Sequence, residues 1–387
     1  MDSSGSKDNK SFSRLLLQSP IDVKDELDEK LERCYSIIGE IMCRGTEREN
    51  NDALTAYVAK GNQQHDEVQM GLLFAILVDS KLQTKSFQEL NLIARDGLTC
   101  LLTKINQIVY EKWLKLLDTT RAQVLWLCKE LVKMNAQGAD SVCIGILRQV
   151  VGGDISQKNI WLTESMLDLF LDYKPFLAKN VSLMATVVYT YLRIIVDHGT
   201  PSLMILRQKE VDLCIGLLRA HWQECLQIGR DLIRLLQNVA KIPEFDILWR
   251  EILFNPSNLA TGFTGVTQLL QIRTSRKFLV GRLTPDMENK LIFLITKVRF
   301  GSQKRYQDWF QRQYLSTPES QSLRCDLIRY ICAVFHPSNE LLCSDIIPRW
   351  AVIGWLLTTC TSNVAASNLK LALSMTGCSL TQREIAS

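Results

Sequence analysis

The sequence predicts an all-α fold, an α-solenoid of the HEAT type built from antiparallel helix pairs, and three observations carry that prediction. Apolar residues recur at three- and four-residue steps almost without interruption from Asp22 onward; strand signals are scarce; and the breaks between periodic segments are short, with Gly, Pro or Asn in them. Paired helices of about 15 residues stacked over some 350 residues would allow about eight repeats of ~40 to 47 residues. Composition agrees, since 47% of the 387 residues are hydrophobic and 22% charged, which excludes a disordered or collagen-like chain.

The elements follow in order. Residues 1–19 read as a polar, disordered tail, residues 20–373 as the helical-repeat domain, and residues 374–387 as a divergent C-terminal tail. In the first helix Leu27, Leu31, Cys34, Ile38 and Ile41 form one apolar face, with Asp25, Glu26, Asp28 and Glu29 favouring the positive end of the helix dipole. Leu98, Leu101, Ile105, Ile108, Val109 and Leu116 lie on a later helix, and Val124, Leu127, Cys128, Leu131 and Val132 on the next. A break at Asp118 to Thr120 makes these two an antiparallel hairpin.

Further helices are expected over Asp140 to Val151, Leu162 to Leu171, Val181 to Val196, Val211 to His221, Glu224 to Ala240 and Phe245 to Leu253. Thr284-Pro285-Asp286 and Thr317-Pro318-Glu319 each spell a helix start: a capping hydroxyl, proline at the first helical position, then an acid. A long helical stretch from Pro285 to about Leu315 is expected to break at Gly301.

The function classes that leave local signatures are unsupported. Walker-type and G-x-G-x-x-G loops are missing, as are H-E-x-x-H and G-x-S-x-G. Gly152-Gly153 reads as a helix stop and turn. The four histidines, His65, His198, His221 and His336, are isolated from one another, and His198 reads as a cation at a helix end. The twelve cysteines form no C-x-x-C pair and most sit at apolar helical positions, as buried free thiols do. No catalytic, cofactor or metal site is therefore expected, and no apolar run reaches the roughly 18 residues of a membrane span.

Net charge is only +4, from 45 Lys and Arg against 41 Asp and Glu, so any nucleic-acid footprint has to be local. The stretch from Arg273 to Arg312 supplies a candidate. It carries Arg273, Arg276, Lys277, Arg282, Lys290, Lys297, Arg299, Lys304, Arg305 and Arg312 against Asp286, Glu288 and Asp308, with Phe300, Tyr306, Trp309, Phe310 and Tyr314 in and just beyond it. Such aromatics stack on unpaired bases while cations hold the phosphates, and Lys304, Arg305, Tyr306, Trp309 and Arg312 are the candidate contacts. The competing reading, a buried aromatic stripe beneath a solvated basic face, is favoured by the i, i+4 spacing of Phe310 and Tyr314.

The run RFGSQKRYQDWFQRQYLSTPESQSLRCDLIRYIC, from Arg299 to Cys332, resembles the Integrator complex subunit 3 family, whose members also belong to the SOSS complex. NDALTAYVAKG from Asn51, VYTYLRIIVDH from Val188 and PRWAVIGWLLTTCTSNVAASNLKLAL from Pro348 share the resemblance. It covers about Asp25 to Leu373, the N-terminal part of a longer family, after which the chain diverges into SMTGCSLTQREIAS. The resemblance implies a nuclear, non-catalytic scaffold, with a cytoplasmic pool as a further place. In one assembly, Integrator, it joins the other Integrator subunits in processing small nuclear RNA ends and attenuating transcription. In the other, SOSS, it docks an OB-fold single-stranded-DNA-binding protein and a small third subunit in DNA-damage signalling and repair. Nucleic acid is then met mainly through the OB-fold partner; direct binding through residues 273–312 is the alternative.

Overall fold

The structure, a computed structural model, describes residues 13–17, 25–42, 46–94, 97–299, 302–316, 320–334 and 346–358. Twenty α-helices and four short 3-10 turns lie among the described residues, and the only β pairing among them is a single bridge between Leu16 and Leu116. The fold is all-α, helix packed on helix, with sequence neighbours in contact as an α-solenoid requires. Two compact units divide the chain, Met1–Gly145 and Ile146–Ser387.

The first unit holds α1 (Glu26–Met42), α2 (Glu47–Val58), α3 (Asn62–Val78), α4 (Gln83–Ile93), α5 (Thr99–Lys112) and α6 (Asp118–Lys133), while α7 (Ala139–Leu147) carries the division. In α1 Leu31, Cys34 and Ile38 are buried as the periodicity requires, and Leu27 and Ile41 are half-buried. The centre of the unit is α3, whose residues Val68 to Leu77 are all buried because α1, α2, α4, α5 and α6 surround it. Both helices of the expected hairpin, α5 and α6, pack on α3. Gly71 permits the approach of α1: a Cβ there would lie 2.6 Å from the Cys34 carbonyl oxygen. A capping box starts α2, with the Glu49 carboxylate accepting from the Thr46 N–H at 2.7 Å. Within the expected tail, Leu15 and Leu16 are buried, and the Leu17 N–H donates to the Lys115 carbonyl at 2.6 Å.

The second unit runs through α8 (Gln157–Asp172), α9 (Lys174–Lys179), α10 (Val181–Ile194), α11 (Met204–Ala220), α12 (Trp222–Cys225), α13 (Asp231–Val239), α14 (Pro243–Phe254), α15 (Val266–Gln271), α16 (Arg276–Val280), α17 (Pro285–Thr296), α18 (Lys304–Tyr314), α19 (Ser320–Val334) and α20 (Ile346–Thr358). Its hub is α10, which packs against α9, α11, α12 and α13. The helix expected over Glu224 to Ala240 is broken. Gly229 adopts φ +73°, and a Cβ there would sit 2.7 Å from the Arg273 carbonyl oxygen. Its neighbour Arg230 donates its N–H to the Ile272 carbonyl at 2.8 Å, a bond to another segment in place of a helical one.

The Thr284-Pro285-Asp286 signal does start a helix: the Thr284 hydroxyl accepts from the Met287 N–H at 3.3 Å. A second core gathers around Leu291, Leu294, Ile295, Phe310, Leu327, Ile331, Val352 and Leu356 from α17, α18, α19 and α20. Thr317-Pro318-Glu319, Phe300, Gly301, His336 and the 374–387 tail lie outside the described residues.

Candidate nucleic-acid interface

Three of the cations of residues 273–312 are engaged within the protein. Arg282 is buried, bonded to Asp231 at 2.5 Å and to Asp326 at 2.6 Å. Lys277 is exposed but occupied, donating to Gln227 Oε1 at 2.7 Å and Ser182 Oγ at 3.1 Å, and Lys290 is paired with Asp286 one turn away. Burial alone would lower the Lys290 pKa; Asp286 and Tyr314 more than offset it and leave it raised.

The five candidate residues share α18, a short helix whose apolar side seats Phe310 completely in the core. Lys304, Arg305 and Arg312 are exposed. The Arg305 guanidinium sits 4.7 Å from the centre of the Tyr306 ring and donates to Tyr306 Oη at 2.9 Å, which stiffens a side chain that would otherwise be free. Arg312 Nε donates to the Asp308 carbonyl at 3.2 Å. Tyr306 is half-buried and meets Phe293 edge to face at 5.4 Å, and Trp309 leans on Tyr314 at 5.7 Å while staying 44% exposed. The buried-stripe reading holds for Phe310, and Trp309 departs from it.

Between α17 and α18 lies a groove of about 730 Å³, lined by Asp286, Asn289, Lys290 and Phe293 from α17 and by Arg305, Tyr306 and Trp309 from α18. The helices are antiparallel, since Phe293 meets Tyr306 while Lys290 lies 5.2 Å from the Tyr314 ring. Of the candidates, the groove brings Arg305, Tyr306 and Trp309 together; Lys304 and Arg312 are not among its lining residues. Asn289 and Phe293 were not singled out from the sequence. A signal was there: positions 286, 289, 290 and 293 recur at helical spacing and so share one face of α17.

Some other ionisable groups are bound to one another inside the core. His198, 1% exposed, bonds through Nδ1 to both carboxylate oxygens of Glu210 at 2.9 Å, so it is half of a buried pair. Burial pushes the Glu210 carboxyl up, against the opposing pull of His198. The described cysteines are free; Cys128 and Cys143 meet at 3.5 Å, and that bond and burial push the Cys143 thiol well up, away from a reactive thiolate. Among the described residues no group of three His, Cys, Asp or Glu side chains is placed to hold a metal, and no helix is long and apolar enough to cross a membrane.

Comparison with known proteins adds the family. A family model described as Integrator complex subunit 3 N-terminal matches residues 63–376. Integrator complex subunit 3 of Mus musculus is 62% identical over 361 residues, covering 93% of this chain and 35% of the relative. That of Danio rerio is 60% identical over 364 residues, covering 94% and 36%, and the Drosophila grimshawi homolog is 48% identical over 362 residues, covering 94% and 33%. The chain thus spans about a third of the length of these relatives. With a match that runs through the helices of both units and recurs from mammal to fish to fly, the chain belongs to the Integrator complex subunit 3 family.

Proposed function

We propose that this chain is a non-catalytic scaffold segment of two nuclear assemblies. In Integrator it works beside the other subunits in small nuclear RNA 3′-end processing and transcription attenuation. In SOSS it docks an OB-fold single-stranded-DNA-binding protein and a small third subunit for DNA-damage sensing and repair. The observation that carries this reading is the 62% identity to Integrator complex subunit 3 over 93% of the chain, on an all-helical framework. Stacked helices expose extended surfaces suited to several partners, and Leu92, Ile205, Leu253 and Phe254 are large apolar side chains left at the surface. Affinity purification of the tagged chain from nuclear extract tests the Integrator half. Recovery of other Integrator subunits is expected, and their absence from a well-folded bait contradicts it.

A second reading, direct binding of nucleic acid, is favoured by one observation: Phe293 and Trp309 are 41% and 44% exposed beside the exposed cations of α18. Replacing Lys304, Arg305 and Arg312 by Gln is expected to weaken binding to every sequence and to lower the salt slope by roughly one for each phosphate no longer neutralised. An unchanged slope contradicts it.

A further inference from the structure

The α17–α18 groove combines three features that suit a ligand. Its walls carry two aromatic side chains, Phe293 and Trp309, that remain about two-fifths exposed while the neighbouring Phe310 is fully buried. Its polar lining is sparse: Asn289 is exposed, and Asp286 and Lys290 neutralise each other. On α18 the exposed cations Lys304, Arg305 and Arg312 face only one acid of the same helix, Asp308. The volume of about 730 Å³ lies within the ~300–1,000 Å³ of pockets that hold small organic ligands.

We infer that this groove seats one unstacked base of a single-stranded nucleic acid against Phe293 and Trp309, with Asn289 facing the polar edge of the base and Lys304 and Arg305 taking the flanking phosphates. The inference rests on the second reading above and names the site within it. Stacking suits the groove because every base offers an apolar, polarisable face to an aromatic ring. Anionic linkages suit its rim, since the cations there outnumber the acids and Arg305 is already oriented by Tyr306. A proline-rich peptide would also fill an aromatic slot, but it supplies no negative charge to those cations.

The test uses the whole 387-residue chain and a 15-nucleotide oligothymidylate with a central 5-iododeoxyuridine, run beside the oligouridylate carrying 5-iodouridine. Photo-crosslinking followed by mass spectrometry is expected to place the link on Trp309, Phe293 or Tyr306 in both. Trp309→Ala is expected to weaken binding about 5- to 150-fold with an unchanged salt slope, whereas Lys304→Gln with Arg305→Gln lowers the slope by about 1.4, the single-strand value for two phosphates. Phe293→Leu, which keeps an apolar side chain, repeats the test should Trp309→Ala lower the melting temperature. Binding at full affinity by both aromatic variants, or crosslinks confined to other segments, overturns the groove assignment and leaves the broader reading standing. Absence of binding at low salt overturns both, and leaves a peptide as the groove's occupant.

Discussion

Arg282 joins two buried carboxylates of the second unit. Its guanidinium bridges Asp231 of α13 and Asp326 of α19; Arg234 reaches Asp231 at 3.0 Å, Arg329 reaches Asp326 at 3.3 Å, and the Tyr189 hydroxyl donates to Asp231 at 3.0 Å. Removing one partner from such a network leaves uncompensated charge in a low-dielectric interior, so Arg282→Met is expected to cost about 3–5 kcal/mol in urea denaturation. Burial alone would raise both carboxyl pKa values; the surrounding guanidiniums, Arg282 first, reverse that and hold both below the usual carboxylate range, Asp231 far below it. A depressed folded-state pKa contributes stability that is full above the unfolded value and fades as pH falls. The denaturation midpoint is therefore expected to drop between about pH 5 and about pH 3, and Asp231→Asn, scaled to its own neutral-pH stability, to drop less. An equal drop in both proteins would mean that Asp231 has no part in the acid sensitivity. None of this was legible in the sequence. Arg282 looked like one cation of a surface patch because its partners lie 51 and 44 residues away, and His198 looked like a dipole cation because Glu210 stands twelve residues on.

Helices were legible wherever their signals are local. The apolar step of α1 and the Thr284-Pro285-Asp286 start of α17 depend on neighbours within a turn or two, and both are found where the sequence places them. The break between α12 and α13 was not, because apolar periodicity runs on through Gly229 and the cause is the crossing of residues 272–274. Close helix approach is equally non-local. In α3 a Cβ on Gly71 would meet Ile38 Cδ1 at 2.4 Å and the Cys34 carbonyl oxygen at 2.6 Å, whereas around Gly39 of α1 nothing lies within 4 Å. Alanine is favoured over glycine in a helix by up to ~1 kcal/mol, so the two substitutions separate propensity from packing. Gly39→Ala is expected to leave thermal stability unchanged or slightly raised. Gly71→Ala is expected to lose about 1–3 kcal/mol despite the same propensity gain, since α1 has to move. Equal effects at the two sites would mean that α1 does not approach α3 at Gly71.

At the scale of the molecule, the two units share one construction, a buried hub helix wrapped by its sequence neighbours: α3 in the first and α10 in the second. That construction needs only repeated amphipathic helices, which is why the all-α class could be read from periodicity while the identity of the hubs could not. The candidate site divides in the same way. Its α18 half was legible as alternating cations and aromatics, and its α17 half was hidden because Asn289 and Phe293 look ordinary until a second helix faces them. The titratable side chains His198, Glu210 and Cys143 are bound to one another or to Cys128 inside the packing. The proposed scaffold role requires this framework to hold partners. Size-exclusion chromatography of the purified chain mixed with the OB-fold single-stranded-DNA-binding protein, at moderate salt, tests it most directly. Co-elution of the two in one stable peak is the expected result, and separate elution of two well-folded proteins would contradict it.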